Sequence, residues 1–277
     1  MRIITLASIR KFEKNLYLKE KAPATIQKYV SAVKAFADFL EGKEFTKESL
    51  IRYREYLVTV KKAQTVNIAL TAINAYADFR GWQGVRVKYL KTQRNHFLET
   101  RREMSREDYM RLLEVAHKRS ERLYLLLMTL GSTGIRVSEL AFITVQAAQN
   151  GRAEIHLKGK YRTILLPRKL CKQLLAYCRK NNIHEGYIFR TRNGNLVDRS
   201  NVWHSLKALC SEAGVEKSKV FPHNFRHLFA RIFYSIEKNL AHLADVLGHS
   251  SLETTRIYVA VSTETHYQIL NRMKLVI

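Results

Sequence analysis

Apolar residues recur at three- and four-residue steps through most of the first eighty positions. Ile26, Tyr29, Val30, Val33, Phe36, Ala37 and Leu40 put a stripe on one face of a helix from about Ala24 to Leu40, and Gly42 ends it. Thr46 is an N-cap residue type, and Leu50, Tyr53, Leu57 and Val60 follow it at helical spacing. Val66, Leu70, Ile73, Tyr76 and Phe79 predict a further helix that stops at Gly81. With a helix near Thr5–Leu18, these make a four-helix N-terminal bundle. Few breakers interrupt the pattern: the only glycines before Gly131 are Gly42, Gly81 and Gly84.

The periodicity then weakens. Residues from about Val85 to Glu103, VRVKYLKTQRNHFLETRRE, are basic and read as an interdomain linker that tracks a phosphate backbone, with Lys88, Lys91 and Arg94 as DNA contacts. A frayed helix end followed by a loop is the alternative. Ser105 with Asp108 resembles a capping box and opens a second domain. Strand signals occur at Ala153–Leu157 and Thr163–Leu166, joined by a tight basic turn, KGKYR, that contains Gly159. A short YIF segment lies at Tyr187–Phe189, and helices dominate the remainder. The expected fold is mainly α: an N-terminal bundle over 1–84, a linker over 85–104, and a mixed, mostly helical domain over 105–277 with a small antiparallel β-hairpin. Trp82 and Trp203 read as packing residues, and Cys171 and Cys178, one heptad apart, as core.

Composition narrows the partners. The 277 residues are 46% hydrophobic, enough for a sizeable core, and carry a net charge of +24. Residues 1–100 contribute +10 and residues 101–277 contribute +14, so the charge is not confined to a tail. Such an excess costs self-repulsion unless a polyanion offsets it, and two basic lobes on a linker suit a clamp around a duplex. A membrane-surface protein would concentrate its charge on one amphipathic helix. No apolar run is long enough for a transmembrane helix, and the N-terminus lacks the features of a secretory signal. Three cysteines without a CxxC pair fit a reducing cytoplasm. Phosphate-loop and dinucleotide fingerprints are absent, so no nucleotide cofactor is expected.

Four segments carry candidate chemistry: GSTGIRVSEL (131–140), LKGKYRTILLP (157–167), FPHNFRHLFA (221–230) and LGHSSLETTRIY (247–258). They supply Arg136, Lys158, His223, Arg226 and His249, and the last ends on Tyr258. Brought together, these would form a phosphate site with a phenol beside it. Two guanidinium forks match the non-bridging oxygens of a phosphoryl group. A phenol must lose its proton to attack, and a lysine can protonate a leaving oxygen. Attack by a side chain conserves the phosphodiester energy in a covalent link, so the chemistry requires neither ATP nor a hydrolytic metal. His223 and His227 share the spacing of a two-histidine metal site, but Asn224 stands where a metalloprotease would need Glu, so His227 reads as a support.

The four segments, in this order and spacing, resemble the tyrosine recombinases, the phage-integrase or Xer-type family. GIRVSEL is similar to the family's first arginine motif, with Arg136 as clamp and Glu139 as supporting carboxylate. KGKYRTILLP resembles the hairpin of the catalytic lysine, HNFRH the HxxR box, and LGHSSLETTRIY the histidine-plus-nucleophile segment. The resemblance implies a SAM-like core-binding domain at the N-terminus and a 3′-phosphotyrosyl link to DNA. It further implies inverted core half-sites on double-stranded DNA and a homotetramer acting through a Holliday junction, monomeric or dimeric when free. The 19 residues after Tyr258, including HYQILNRM, suffice for one helix of the kind that docks on a neighbouring protomer in this family. A cytoplasmic, nucleoid-associated enzyme of a mobile element or a resolvase is expected.

Some points depart from the pattern. VQAAQN (145–150) replaces the usual acidic residue. The hairpin is one residue out of step, so Lys160 competes with Lys158 for the lysine role, with Lys160 and Arg162 otherwise expected on DNA. No arm-binding domain precedes the bundle, which favours a simple core-site enzyme. Tyr267 is the fallback nucleophile. The rival readings are a type IB topoisomerase-like enzyme, a catalytically inactive DNA-binding accessory protein and an RNA-binding module.

Overall fold

A computed structural model describes residues 1–91, 103–157, 160–249 and 251–256. Arg94, Lys158, Tyr258 and the HYQILNRM segment fall outside the described residues, and so does the side chain of Lys160. The chain divides into two compact units, Met1–Arg94 and Asn95–Ile277.

The first unit is built from α1 (Leu6–Leu18), α2 (Pro23–Leu40), α3 (Lys47–Val60) and α4 (Ala63–Phe79). Thr5 with Ser8 and Thr46 with Ser49 form reciprocal capping boxes, satisfying backbone N–H groups that a helix start leaves without partners. The expected apolar stripes meet in one core that includes Phe12, Val33, Phe36, Leu50, Leu70 and Tyr76. Phe12 meets Tyr76 edge-on at 5.3 Å, and the buried Tyr76 hydroxyl shares a 2.6 Å hydrogen bond with Ser8. Trp82 packs edge-on against Phe45 and Tyr76.

The stretch read as the beginning of a linker is fastened to this bundle as far as Leu90. Val85 and Val87 are buried in its core. The Asn74 amide donates to the Val87 carbonyl at 3.0 Å and accepts from the Val87 N–H at 3.2 Å. Asn67 does the same for Leu90, at 3.0 and 2.8 Å. Two asparagines on α4 thus replace the ladder partners that an extended segment needs. Lys88 and Lys91 remain exposed between and beyond these anchors.

In the second unit, α5 (Arg106–Arg119) starts at the expected Ser105–Asp108 capping box, and α6 (Glu121–Thr133) follows after a break at Ser120. A 3₁₀ turn (Val137–Phe142), α7 (Val145–Asn150), β1 (Arg152–Leu157) and β2 (Lys160–Leu165) come next. Then follow α8 (Arg168–Lys180), α9 (Arg199–Leu209), α10 (Pro222–Glu237), α11 (Leu240–Leu247) and α12 (Leu252–Arg256). The fold class is the expected one: mostly helical, with one two-stranded antiparallel sheet among the described residues.

The hairpin differs from expectation in one respect that bears on the site. β2 begins at Lys160 rather than Thr163, and Arg162 pairs with Ile155 inside the ladder. Arg162 is therefore a strand residue, not part of an exposed basic turn. Successive strand side chains alternate faces, so Arg162 points the same way as the buried Ile164. Tyr187 of the YIF segment makes only an isolated bridge to Thr144. Cys171 and Cys178 are buried, as expected. Trp203 is not a packing residue: it is 42% exposed, with the Lys207 ammonium 5.3 Å from its ring centroid. No described helix is long and apolar enough to cross a membrane.

Candidate active site

The first wall of the site is made where α6 ends. Gly134 has φ +61°, and a Cβ there would lie 2.4 Å from the Phe229 ring, so backbone conformation and close packing both require glycine. The chain then turns into the 3₁₀ segment with Arg136 as its N-cap. Glu139 folds back: its carboxylate accepts from the Arg136 backbone N–H at 2.7 Å and from Arg136 Nη1 at 2.9 Å. Glu139 is buried while the Arg136 side chain is 43% exposed, so a sunken carboxylate aims a guanidinium that remains open to solvent.

Arg226 forms the floor. It is among the largest side chains of the chain to be fully buried. Its Nη1 donates to the Gly134 carbonyl at 2.7 Å, and its Nη2 donates to the Leu247 carbonyl, also at 2.7 Å. Leu247 is the last residue of α11, where helix carbonyls lack intrahelical partners and cations are favoured. Nη2 also lies 2.8 Å from His249 Nε2. Arginine can only donate, so that imidazole nitrogen accepts, and the His249 proton sits on Nδ1, which donates to the buried Thr255 hydroxyl at 2.8 Å. His249 is thereby held as a neutral ring. Burial pushes its pKa down to about 4, helped by Arg226, Arg136 and Arg162.

A third guanidinium completes the cluster. Arg162 Nη1 donates to the same Leu247 carbonyl and stands 3.5 Å from Glu139 Oε1. Burial lowers its pKa to about 10, with Arg226 and Arg136 acting in the same sense and Glu139 opposing them. It remains charged at neutral pH. Among the described residues, one carboxylate thus faces three guanidiniums in a partly buried setting, and the imbalance favours an arriving anion.

His223 lies three residues before Arg226 on α10, and burial lowers its pKa, followed by the fields of Arg226, Arg136 and Arg199. Its ring meets that of His227 edge-on at 4.9 Å. His227 falls to about 4 through burial, then through His223, Arg231 and Arg226. The structure therefore brings Arg136, Glu139, His223, Arg226 and His249 into one constellation, with His227 behind it. Arg162 and Thr255 belong to it although sequence reasoning placed the first on an exposed turn and did not single out the second. The alternation of Arg162 with Ile164 was the available signal for the former; nothing in the sequence pattern marked Thr255.

Two histidines with such low proton affinity make acid a destabiliser. Between about pH 6.5 and pH 4 they take up protons when unfolded but not when folded, so their contribution is complete above pH 6.5 and lost as pH falls through 4. Urea unfolding at pH 7.5 and pH 5 is expected to show a lower midpoint in acid, and His227→Gln is expected to flatten the difference. Equal midpoints would contradict the neutral burial of these rings.

A family model described as "Phage integrase family" matches residues 102–265, and one described as "Phage integrase, N-terminal SAM-like domain" matches residues 9–77. The chain belongs to the phage integrase family. Its relatives include the tyrosine recombinase XerA of Thermococcus kodakarensis, 29% identical over 97% of this chain and 95% of that protein. The corresponding protein of Pyrococcus furiosus is 28% identical over 99% and 97%. Among solved structures, XerH site-specific recombinase bound to its difH substrate before cleavage covers 96% of this chain and 84% of that one, with a TM-score of 0.73 at 18% identity. A lambda integrase tetramer bound to a Holliday junction covers 92% and 78%, with a TM-score of 0.70 at 18% identity. These two likenesses concern the integrase fold, and the family model spans all four segments that build the site.

Proposed function

We propose that this integrase-family chain is a site-specific DNA recombinase that cuts and rejoins strands through a phosphotyrosyl intermediate. The observation that carries the reading is the convergence of Arg136, Arg226 and His249 from three separate chain segments, where Glu139 is the one carboxylate among the described residues that meets these guanidiniums. Arg136 and Arg226 clamp the non-bridging oxygens of the scissile phosphate, and His249 assists once the anion raises its proton affinity. Tyr258 attacks phosphorus: the bond from phosphorus to the phenolic oxygen forms, and the bond to the 5′ oxygen breaks. His223, neutral at physiological pH, accepts the phenolic proton. Lys158, or Lys160 in its place, gives a proton to the departing 5′ oxygen. No bond energy is lost to water, so a second strand reverses the step by attacking the phosphotyrosine.

The finer assignments belong to the same proposal. The substrate is duplex DNA with inverted core half-sites, bound by a homotetramer; Lys88, Lys91 and Arg94 contribute phosphate contacts; the enzyme works on the nucleoid in the cytoplasm and serves a mobile element or resolves DNA multimers. The domains divide the labour, the N-terminal bundle holding DNA and the C-terminal domain carrying the chemistry. A topoisomerase-like enzyme shares the first step but relaxes DNA without exchanging sites. A nicked suicide substrate carrying two sites separates the two: recombinant products support the proposal, and relaxation without recombinants overturns it.

DNA affinity is expected to fall steeply with salt, because cations on phosphates release counterions. A loss on the order of 1,000-fold between 50 and 200 mM salt, measured by fluorescence anisotropy, corresponds to about six phosphate contacts. A flat response would mean that the net charge of +24 serves solubility alone.

A further inference from the structure

We infer that Arg162 is a positioning residue of the phosphate site, the bridge that sets the spacing between the Arg136 and Arg226 forks. It shares Glu139 Oε1 with Arg136 and the Leu247 carbonyl with Arg226. No other described side chain touches both anchors. Its side chain is 7% exposed and crosses directly over Gly248, where an added Cβ would lie 2.3 Å from Arg162 Cδ. Gly248 has φ +64° and caps α11 immediately before His249. Strand β2 is thereby pinned to the turn that presents His249.

The bridge is costly while no anion offsets its charge. Nε and Nη2 of Arg162 are buried without a hydrogen-bond partner among the described residues, and its cation adds to the repulsion among Arg136, Arg226 and itself. Crowded among other cations and with two buried donors lacking partners among the described residues, Arg162 is a poor device for stability alone, since an apolar residue of similar size is often neutral or better in such a place. The surplus charge is offset when a phosphoryl anion arrives. Arg162 thus exchanges stability of the free protein for a site already held in the spacing that a phosphate requires. The inference rests on the strand-transfer reading for its consequence in catalysis, but its binding arm is independent of that reading.

Four measurements on the full chain test it, comparing wild type with Arg162→Met and Arg162→Lys. With inorganic phosphate as probe, wild type is expected to gain thermal stability as a ligand-bound state should, and Arg162→Met to gain much less. Without phosphate, Arg162→Met is expected to melt at the wild-type temperature or higher. On a nicked suicide substrate, Arg162→Met is expected to form covalent adducts on the order of 100-fold more slowly, with partial rescue by Arg162→Lys. The pKa of His249, followed by NMR, is expected to rise in Arg162→Met because one cation facing it is gone. Equal phosphate stabilisation in both proteins would overturn the inference. So would a melting loss in Arg162→Met that matches its activity loss and that lysine does not rescue. If wild type forms no adduct while the phosphate arm behaves as expected, the strand-transfer reading fails and the bridge stands.

Discussion

An Arg226→Lys protein is expected to fold and bind DNA but to cleave on the order of 100- to 1,000-fold more slowly, the usual cost of removing one preorganised donor from a site of developing charge. Lysine keeps the charge and loses the fork. Arg226 spends Nη1 on the Gly134 carbonyl and Nη2 on the Leu247 carbonyl and His249, so one planar group ties the end of α6 to the end of α11. A single ammonium cannot span both ends in that fixed plane. Arg226→Ala is expected to add a stability loss on the order of 2 kcal/mol, because the Gly134 carbonyl then loses its donor and a cavity opens. Single-turnover cleavage of a nicked substrate, with unfolding midpoints measured alongside, separates the two effects. Cleavage by Arg226→Lys at nearly the wild-type rate would show that charge alone suffices and that the fork geometry has been overvalued.

The second large effect concerns the nucleophile. Tyr258→Phe removes one oxygen, leaving charge and cations untouched, so DNA affinity and its salt dependence are expected to match wild type. Covalent adducts are expected to vanish, since no other group then supplies the phenolic oxygen. Denaturing gels of protein mixed with suicide substrate read the outcome directly. Adducts that persist in Tyr258→Phe but disappear in Tyr267→Phe would move the nucleophile nine residues along the chain.

Much of this was legible in the sequence because the signals were local or periodic. The stripe from Ile26 to Leu40, the Thr46 and Ser105 caps and the stop at Gly81 each depend on interactions within a few residues, and α2, α3, α4 and α5 follow them closely. The segment after Gly84 was harder. Its basic, aperiodic composition suggested a linker, but Asn74 and Asn67 hold it to α4 through contacts that cross a turn and leave no periodic trace. Arg162 was misplaced for a related reason. A run of Lys, Gly, Lys, Tyr and Arg reads as a turn, and only pairing with β1 reveals that the last of them alternates inward. Trp203 ran the other way: a large aromatic residue suggests burial, whereas α9 leaves it at the surface under a lysine. The site itself was recoverable as a set of residue types, but the sharing of Glu139 and of the Leu247 carbonyl between guanidiniums is tertiary and carries no sequence mark.

In the proposed mechanism a cluster of guanidiniums holds a DNA phosphate for attack by Tyr258. The most direct measurement is to trap the adduct on a suicide substrate, digest it and locate the nucleotide-bearing peptide by mass spectrometry. The expected result is a 3′-phosphate ester on the Tyr258 oxygen, formed by wild type and sharply reduced in Arg136→Ala and Arg226→Lys. A link through the 5′ phosphate, a nucleotide on another residue, or an adduct that forms equally well without those arginines would rule that mechanism out.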